Sequence, residues 1–194
     1  EIPEMVEELS SLAKVEIIPG NHDGGIEKIV STKVYPMEGF VRDNVAFNHG
    51  HSWPTKDMMK AEIIVVSHNH PTIELKDRLG HKMIKKCWII ARLNKEKLRE
   101  RYKVLGKLKT VIIPAFNPLI EGVPFNRESR RLGPLLQKDI VKKMEAYLLD
   151  GTYRGDQLRI LLERLRQIKA NGEPRYYALS ATFRNPKDVA ARYF

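Results

Sequence analysis

Residues 15–25 read Val-Glu-Ile-Ile-Pro-Gly-Asn-His-Asp-Gly-Gly, and this stretch decides how the rest of the chain is organised. The first four residues are typical of a strand, and Pro19-Gly20 turns the chain sharply at its end. The turn therefore presents three polar side chains at the end of a strand: Asn21, His22 and Asp23. Side chains of these types ligate metals or contact phosphate.

Two further stretches repeat the arrangement of an apolar strand followed by histidines. They are Asn48-His49-Gly50-His51 and Ser67-His68-Asn69-His70-Pro71. Five of the six histidines lie in these three stretches, and only His81 lies outside them. One such histidine alone is more often structural, but three clusters at strand ends predict metal ligation.

Composition sets the class of protein. The chain has 194 residues, 42% hydrophobic and 30% charged, which is enough for a domain with its own core. No apolar run approaches the roughly 20 residues of a membrane span, and the single cysteine, Cys87, is typical of a reducing cytoplasm. The net charge of +10 favours an anionic partner, with a merely basic surface as the alternative.

The apolar patterns predict a mixed set of helices and strands. We expect helices at residues 4–13 and 26–31, and a helical turn at 55–60 with Thr55 as its cap. Strands are expected at residues 15–18, 34–35, 40–41, 45–47, 62–66, 83–92 and 109–113. The charged, helix-prone segment 94–107 is expected to project into solvent.

The histidine clusters suit transition-metal chemistry. Imidazole nitrogen and the Asn carbonyl oxygen both bind Mn, Fe, Zn or Ni. His68 and His70, two residues apart, face one way on a strand or reach two different metals from a loop. A pair of ions about 3.5–4 Å apart clamps a phosphoryl group. His22 would then donate a proton to the leaving oxygen, with Asp23 orienting its ring.

In order and separation, the three clusters resemble the third, fourth and fifth motifs of the calcineurin-like metallophosphoesterases. The resemblance is stronger to the archaeal and bacterial branch associated with DNA ligase and helicase genes, and it covers residues 1–153. Its other features here are residues 49–54 (His-Gly-His-Ser-Trp-Pro), 114–119 (Pro-Ala-Phe-Asn-Pro-Leu), 122–126 (Gly-Val-Pro-Phe-Asn) and 147–152 (Tyr-Leu-Leu-Asp-Gly-Thr).

The resemblance implies an α/β fold in which a two-sheet sandwich is flanked by helices. It implies a hydrolase for phosphoesters, in particular nucleic-acid-related phosphodiesters, with DNA or RNA as partner and a link to a helicase and a DNA ligase. The implied cofactor is a pair of divalent ions, manganese first, with zinc, iron or nickel as alternatives. By this resemblance Asn21, His49 and His68 hold one ion, His70 holds the other, His22 is the catalytic acid supported by Asp23, His51 supports the ligands from behind, and Asn117 contacts substrate.

Two departures from the family pattern bear on activity. Ser67 stands where the family has Gly, and a small residue should be tolerated there. The family's first two motifs, Asp-x-His and Gly-Asp, are absent from the nineteen residues before Gly20. We therefore expect an N-terminally incomplete domain with impaired activity. The alternative is a non-catalytic piece that binds nucleic acid or associates with a helicase.

Residues 154–194 resemble part of the first RecA-like domain of superfamily-two helicases of the DEAD/DEAH type. The pattern predicts a helix with an apolar face, a strand at residues 176–179 leading into Ser180-Ala181-Thr182, and a final helix from Asn185-Pro186. No phosphate-binding loop of the form Gly-x-x-x-x-Gly-Lys-Ser/Thr occurs in the sequence, so we expect no ATP hydrolysis. The join near residues 148–153 fits either a gene fusion or an assembly artefact.

Other side chains have both a functional and a plainer interpretation. Trp53 and Trp88 would stack on bases or pack in the core. The lysine-rich segment 95–109 would contact a phosphate backbone or form a solvated face. Asn117 and Asn126 would line the site or shape turns.

Overall fold

The computed structural model describes residues 2–76, 79–117, 119–127 and 132–149. The predicted boundary near residues 148–153 falls at the end of this part. The helicase-like segment 154–194, with its predicted helices and strand, lies outside the described residues.

The N-terminal part forms a small unit in front of the main sheet. Helix α1 (Ile2–Leu12) leads into β1 (Glu16–Ile17), which pairs in parallel with β2 (Lys33–Val34). A 3-10 helix (Ile26–Lys28) lies between the two strands, after Gly25 in the left-handed region. The Gly-Asn-His-Asp turn therefore sits between a strand and a short helix, as the sequence predicts.

Eight strands form the main sheet. Its order is β3-β4-β5-β8-β7-β6-β9, with β10 also paired to β7. The strands are β3 (Phe40–Arg42), β4 (Val45–Asn48), β5 (Ile63–Val66), β6 (Pro71–Lys76), β7 (Lys82–Leu93), β8 (Lys109–Ile112), β9 (Val123–Pro124) and β10 (Val141–Leu148), with a short helix α2 (Lys95–Arg99) after β7 and a 3-10 helix (Met58–Lys60) before β5.

The centre of the sheet is parallel and its margins are antiparallel. Strands β4, β5 and β8 run in the same direction, with Asn48 opposite Val66 and Val66 opposite Ile112. A hairpin joins β3 to β4 through Asp43 and Asn44, both with positive φ. The long strand β7 pairs with β6 by its first half and with β8 and β10 by its second half.

Both faces of the central strands are buried, which explains the continuous β-branched run in β5. On one face, alternate residues of the sheet such as Ile64 and Ile112 pack with Met58, Met59 and Leu98. On the other face, the intervening residues such as Val65 and Val111 form a second cluster. Trp53 packs against the first cluster and Trp88 against the second, so both tryptophans contribute to core packing.

A buried carboxylate connects the small N-terminal sheet to the main sheet. Glu16 of β1 accepts hydrogen bonds from Arg42 of β3 at 2.8 and 3.4 Å and pairs with Lys14 at 3.1 Å. Arg42 also donates to the Tyr35 hydroxyl. Burial alone would raise the pKa of Glu16, but the bonds from Arg42 and Lys14 prevail and lower it to about 2.

The fold is mixed α/β, as predicted. The structure contains each strand expected up to residue 113, with small shifts at the ends, and the helix at 4–13 is observed as α1. Strands β6, β9 and β10 were not predicted. Within the described residues no helix is long and apolar enough to cross a membrane.

The charged segment 94–107 differs from its prediction. Only residues 95–99 are helical, with the Asn94 side chain capping the N–H groups of Glu96 and Lys97. The segment does not simply project into solvent, because Leu98 and Tyr102 are 1% and 4% exposed and belong to the core. Burial of these two side chains holds the segment against the protein.

Candidate functional site

The loops that carry His49 and His68 meet because they follow two neighbouring parallel strands. β4 ends at Asn48 and β5 ends at Val66, and these two residues are register partners. The carboxyl ends of parallel strands open at the same edge of a sheet, so His49 and His68 emerge side by side. This is the arrangement that the repeated strand-then-histidine pattern predicts.

His49 and His68 form the centre of the cluster. His49 Nε2 lies 3.2 Å from His68 Nδ1. The ring of His51 lies 5.2 Å from that of His49 and 6.0 Å from that of His68, measured between centroids. Three imidazoles from two loops therefore share one small volume.

Ser67 fixes the orientation of the His49 ring. Its hydroxyl donates to the His49 carbonyl oxygen at 3.0 Å and lies 3.2 Å from His49 Nδ1. The Ser67 hydroxyl therefore contacts both the backbone and the ring of His49. The serine that departs from the family pattern thus has a defined contact with a candidate ligand.

The loop backbones are held in uncommon conformations around these rings. His68 and His70 have positive φ values of 59° and 43°, which are uncommon for residues other than Gly, although Asn, Asp and His adopt them more often than the rest. Asn48 accepts from the Gly50 N–H at 2.6 Å and is fully buried. Positive φ at two histidines costs conformational energy, and such conformations cluster at functional sites.

Burial keeps these histidines in their neutral form. It lowers the pKa of His68, and the neighbouring charges of His51, His70 and His22 lower it further. Burial also lowers the pKa of His51, although the negative charge of Glu38 raises it in part. For His70, burial and then the charge of Lys86 lower the pKa. Neutral imidazole is the form that binds metals.

The Gly-Asn-His-Asp turn packs directly on this cluster. A Cβ atom placed on Gly20 would lie 2.7 Å from His49 Cε1, so only a glycine fits there without a shift. Asp23 accepts from the Gly20 N–H at 2.7 Å and thereby closes the turn. Asn21 and His22 are exposed at its tip. A positive charge on His22 contributes to lowering the pKa of His68.

His70 lies on the Lys86 side of the cluster. Its carbonyl oxygen accepts from the Val123 N–H at 3.1 Å. Within the described part of the chain, Nδ1 of His70 and Nδ1 of His51 are buried without a hydrogen-bond partner. A buried ring nitrogen without a partner is costly, and a metal ion is one way to satisfy it.

The spacing of two ring nitrogens matches that of ligands on one metal ion, but the described residues contain no complete group of metal ligands. Two nitrogens on a tetrahedral ion at about 2.0–2.1 Å are about 3.3 Å apart, close to the observed separation between His49 and His68. Across residues 2–76, 79–117, 119–127 and 132–149, however, no three His, Cys, Asp or Glu side chains form a group that could hold a metal. The third donor expected from the resemblance, Asn21, is an amide.

Lys86 is a site residue that the sequence analysis missed. Its Nζ donates to the Ala115 carbonyl oxygen at 3.1 Å and to that of Asn117, and burial lowers its pKa. It anchors the loop after β8 beside His70. The sequence does contain a signal for this role. Lys86 lies two and four positions before Trp88 and Ile90, so all three side chains line the same buried face of β7.

Asn117 is buried, and its side chain shapes its own loop. The amide oxygen accepts from the Leu119 N–H at 2.9 Å, which is the turn role given as its alternative. Asn126 makes a long-range contact instead, because its amide bonds to both backbone groups of Glu74, 52 residues away in sequence. His81 lies apart from the cluster on an exposed part of β6–β7.

No family model matches the chain, and neither a curated protein nor a solved structure matches it. The resemblance to the metallophosphoesterases therefore stays a prediction, as does the resemblance of residues 154–194 to a helicase.

Proposed function

We propose that this protein is a metal-dependent phosphoester hydrolase that acts on nucleic-acid-related phosphodiesters. The observation that carries the proposal is the pair of histidines His49 and His68, whose ring nitrogens lie 3.2 Å apart at the ends of two parallel strands. The finer architecture that goes with it is the two-sheet sandwich of the metallophosphoesterases, with β1–β2 belonging to the second sheet.

The proposed ligands of the first ion are His49, His68 and Asn21, and His70 is the proposed ligand of a second. A divalent ion held there would supply Lewis-acid polarisation of a phosphoryl oxygen. The orphaned Nδ1 atoms of His51 and His70 support a cation or a polar ligand in this volume. Manganese is the first choice, with zinc, iron and nickel as alternatives.

His22 is the proposed proton donor to the leaving oxygen. It is exposed at the tip of a turn that packs on His49. A substrate beside the proposed metal ligands could therefore reach it. Asp23 holds the turn closed through the Gly20 N–H, which sets the direction in which His22 points. We propose that Asn117 contributes a substrate contact from the loop anchored by Lys86.

The expected rate is low. Among the described residues no group of three His, Cys, Asp or Glu side chains could hold a metal, and a carboxylate that bridges two ions is part of the family's site. That same observation favours the second candidate, a non-catalytic nucleic-acid-binding or helicase-associated protein. Metal-dependent turnover separates the two candidates.

The test compares two substrates and three variants. Hydrolysis of a dinucleotide and of a nitrophenyl phosphodiester is measured with Mn²⁺ for His22→Ala, His68→Ala and the control His81→Ala. General acid catalysis contributes about 10²- to 10⁴-fold, and a nitrophenolate needs little protonation. We expect His22→Ala to lose the dinucleotide activity selectively, and His68→Ala to lose both activities together with the metal.

Two results would count against this proposal. If His22→Ala slows both substrates equally, or strips the metal as His68→Ala does, then His22 is not the acid. If neither substrate is hydrolysed above the rate of His68→Ala, the non-catalytic candidate is favoured.

A further inference from the structure

Trp53 and Arg101 lie far apart in the sequence but meet beside the histidine cluster. The guanidinium of Arg101 lies 4.7 Å from the centroid of the Trp53 ring and 5.9 Å from that of Tyr102. This is a cation–π contact between the loop after β4 and the segment after α2. The His-Gly-His-Ser-Trp-Pro stretch and the lysine-rich segment are therefore neighbours in space.

The contact is held in place from below. Tyr102 is buried, and its hydroxyl donates to the Pro54 carbonyl oxygen at 2.7 Å. Its ring lies 6.3 Å from that of Trp53, which is half-buried against the core. Arg101 itself is exposed. The indole thus packs on the protein and contacts the guanidinium of an exposed arginine, which also interacts with the Tyr102 hydroxyl.

The surrounding surface is strongly basic. Residues 95–109 contain seven Lys and Arg residues and two Glu residues. Of the acidic groups here, Glu100 pairs with Lys97, and Glu62 pairs with Lys107. Arg99 and Lys103 are exposed on either side of Arg101. The positive charge of the chain is therefore concentrated on the segment that carries the stacked arginine.

This surface begins at the edge of the candidate site. Trp53 follows His51 by two residues, and the His51 ring is 5.2 Å from that of His49. A polyanion bound to the histidine cluster would extend over Trp53 and Arg101. Because a preorganised guanidinium forms paired hydrogen bonds with phosphate, and an indole or a guanidinium plane stacks on a base, a nucleic-acid strand matches both parts.

We propose that Trp53 and Arg101 form a docking point for a single-stranded nucleic acid, which positions the strand beside the histidine cluster. Arg101 contacts a backbone phosphate, and its guanidinium plane, supported by Trp53, lies next to a base. One part of this inference rests on the proposed function, namely that the bound strand is also the substrate. Binding itself needs no hydrolysis and no metal.

The experiment measures binding without catalysis. A fluorescein-labelled single-stranded oligonucleotide is titrated with the protein in EDTA at several salt concentrations, and anisotropy gives Kd. The variants are Arg101→Ala, Arg101→Lys and the matched control Arg99→Ala, two residues earlier on the same segment. Circular dichroism confirms that each variant is folded, which is expected because both arginines are exposed.

We expect Arg101→Ala to weaken binding about tenfold or more, since a charge-assisted bond contributes about 1.5–3 kcal/mol. Its salt dependence should fall by about one phosphate contact. Arg101→Lys should recover part of the loss, because Lys keeps the charge without the planar fork. Arg99→Ala should change Kd by less than about twofold, as for a rim charge.

Equal losses for Arg99→Ala and Arg101→Ala would overturn the inference, because binding would then depend on diffuse charge. Unchanged binding by Arg101→Ala would overturn it as well, and so would an equal Arg101 dependence for polyglutamate, which would indicate a general anion site. If Arg101-dependent binding is found but no phosphodiester is hydrolysed, the docking point stands and the proposed hydrolase function fails. Hydrolysis that does not depend on Arg101 would support the proposed hydrolase function and would count against the docking point.

Discussion

Replacing Gly20 by Ala tests whether the Gly-Asn-His-Asp turn supports the histidine pair. The new Cβ would lie 2.7 Å from His49 Cε1 and 3.0 Å from His49 Nδ1. Carbon atoms pack at about 3.5–4.0 Å, so the ring or the turn must move by about 1 Å. A shift of that size breaks the 3.2 Å contact between His49 and His68.

We expect Gly20→Ala to lower the free energy of unfolding by about 1–3 kcal/mol, the usual cost of overpacking. Gly24→Ala is the matched control, because a Cβ there meets nothing within 4 Å. That change should be neutral, or should stabilise by about 0.4–1 kcal/mol by restricting the unfolded chain. Urea denaturation of the two variants and the wild type measures both effects.

The same variants are then titrated with Mn²⁺. Gly20→Ala should bind the ion more weakly than the wild type, whereas Gly24→Ala should bind it equally. The reasoning is refuted if both variants unfold and bind metal alike. The Gly20 turn would then not pack on His49 in solution.

Three further predictions concern groups outside the histidine pair. The pKa of Glu16 is lowered from 4.5 to about 2, so its carboxylate should add about 3 kcal/mol to the free energy of unfolding above pH 4.5. This contribution is lost as the pH falls towards 2. Urea denaturation should therefore show that the difference in stability between wild type and Glu16→Gln closes over that range. Lys86→Met should destabilise by about 1–3 kcal/mol, because it leaves two carbonyl oxygens without their donor, and Lys85→Met, on an exposed neighbour, should change little. Cys87 is buried, which raises its pKa to about 12, so a thiol reagent at pH 8 should react with it only after unfolding, and fast labelling of the native protein would contradict its burial.

The convergence of the loops was predictable because it follows from local signals. Apolar runs before residues 49 and 68 predict strands, and because β4 and β5 are parallel neighbours their ends lie together. The β-branched run in β5 also predicts a strand buried on both faces. These features depend on residues close together in the chain.

What the sequence analysis missed depends on contacts between distant residues. The strand β10 alternates weakly, with Lys142, Lys143 and Glu145 among its apolar residues, and its pairing with β7 is a long-range contact. The contact of Arg101 with Trp53 likewise needs Tyr102 to be buried, and a segment so rich in charge does not indicate that. The role of Ser67 on the His49 ring depends on loop conformation, which strand patterns do not specify.

Calorimetric titration of Mn²⁺ into the protein, with His68→Ala and His81→Ala beside it, tests the metal site most directly. We expect one ion per chain with a Kd of about micromolar or weaker, because two histidine nitrogens are in place but the described residues contain no group of three His, Cys, Asp or Glu side chains that could hold a metal. His68→Ala should abolish the binding and His81→Ala should retain it. No binding at all, or equal binding by the two variants, would contradict a metal site at the ends of β4 and β5, and tight binding of two ions would contradict a single weak site.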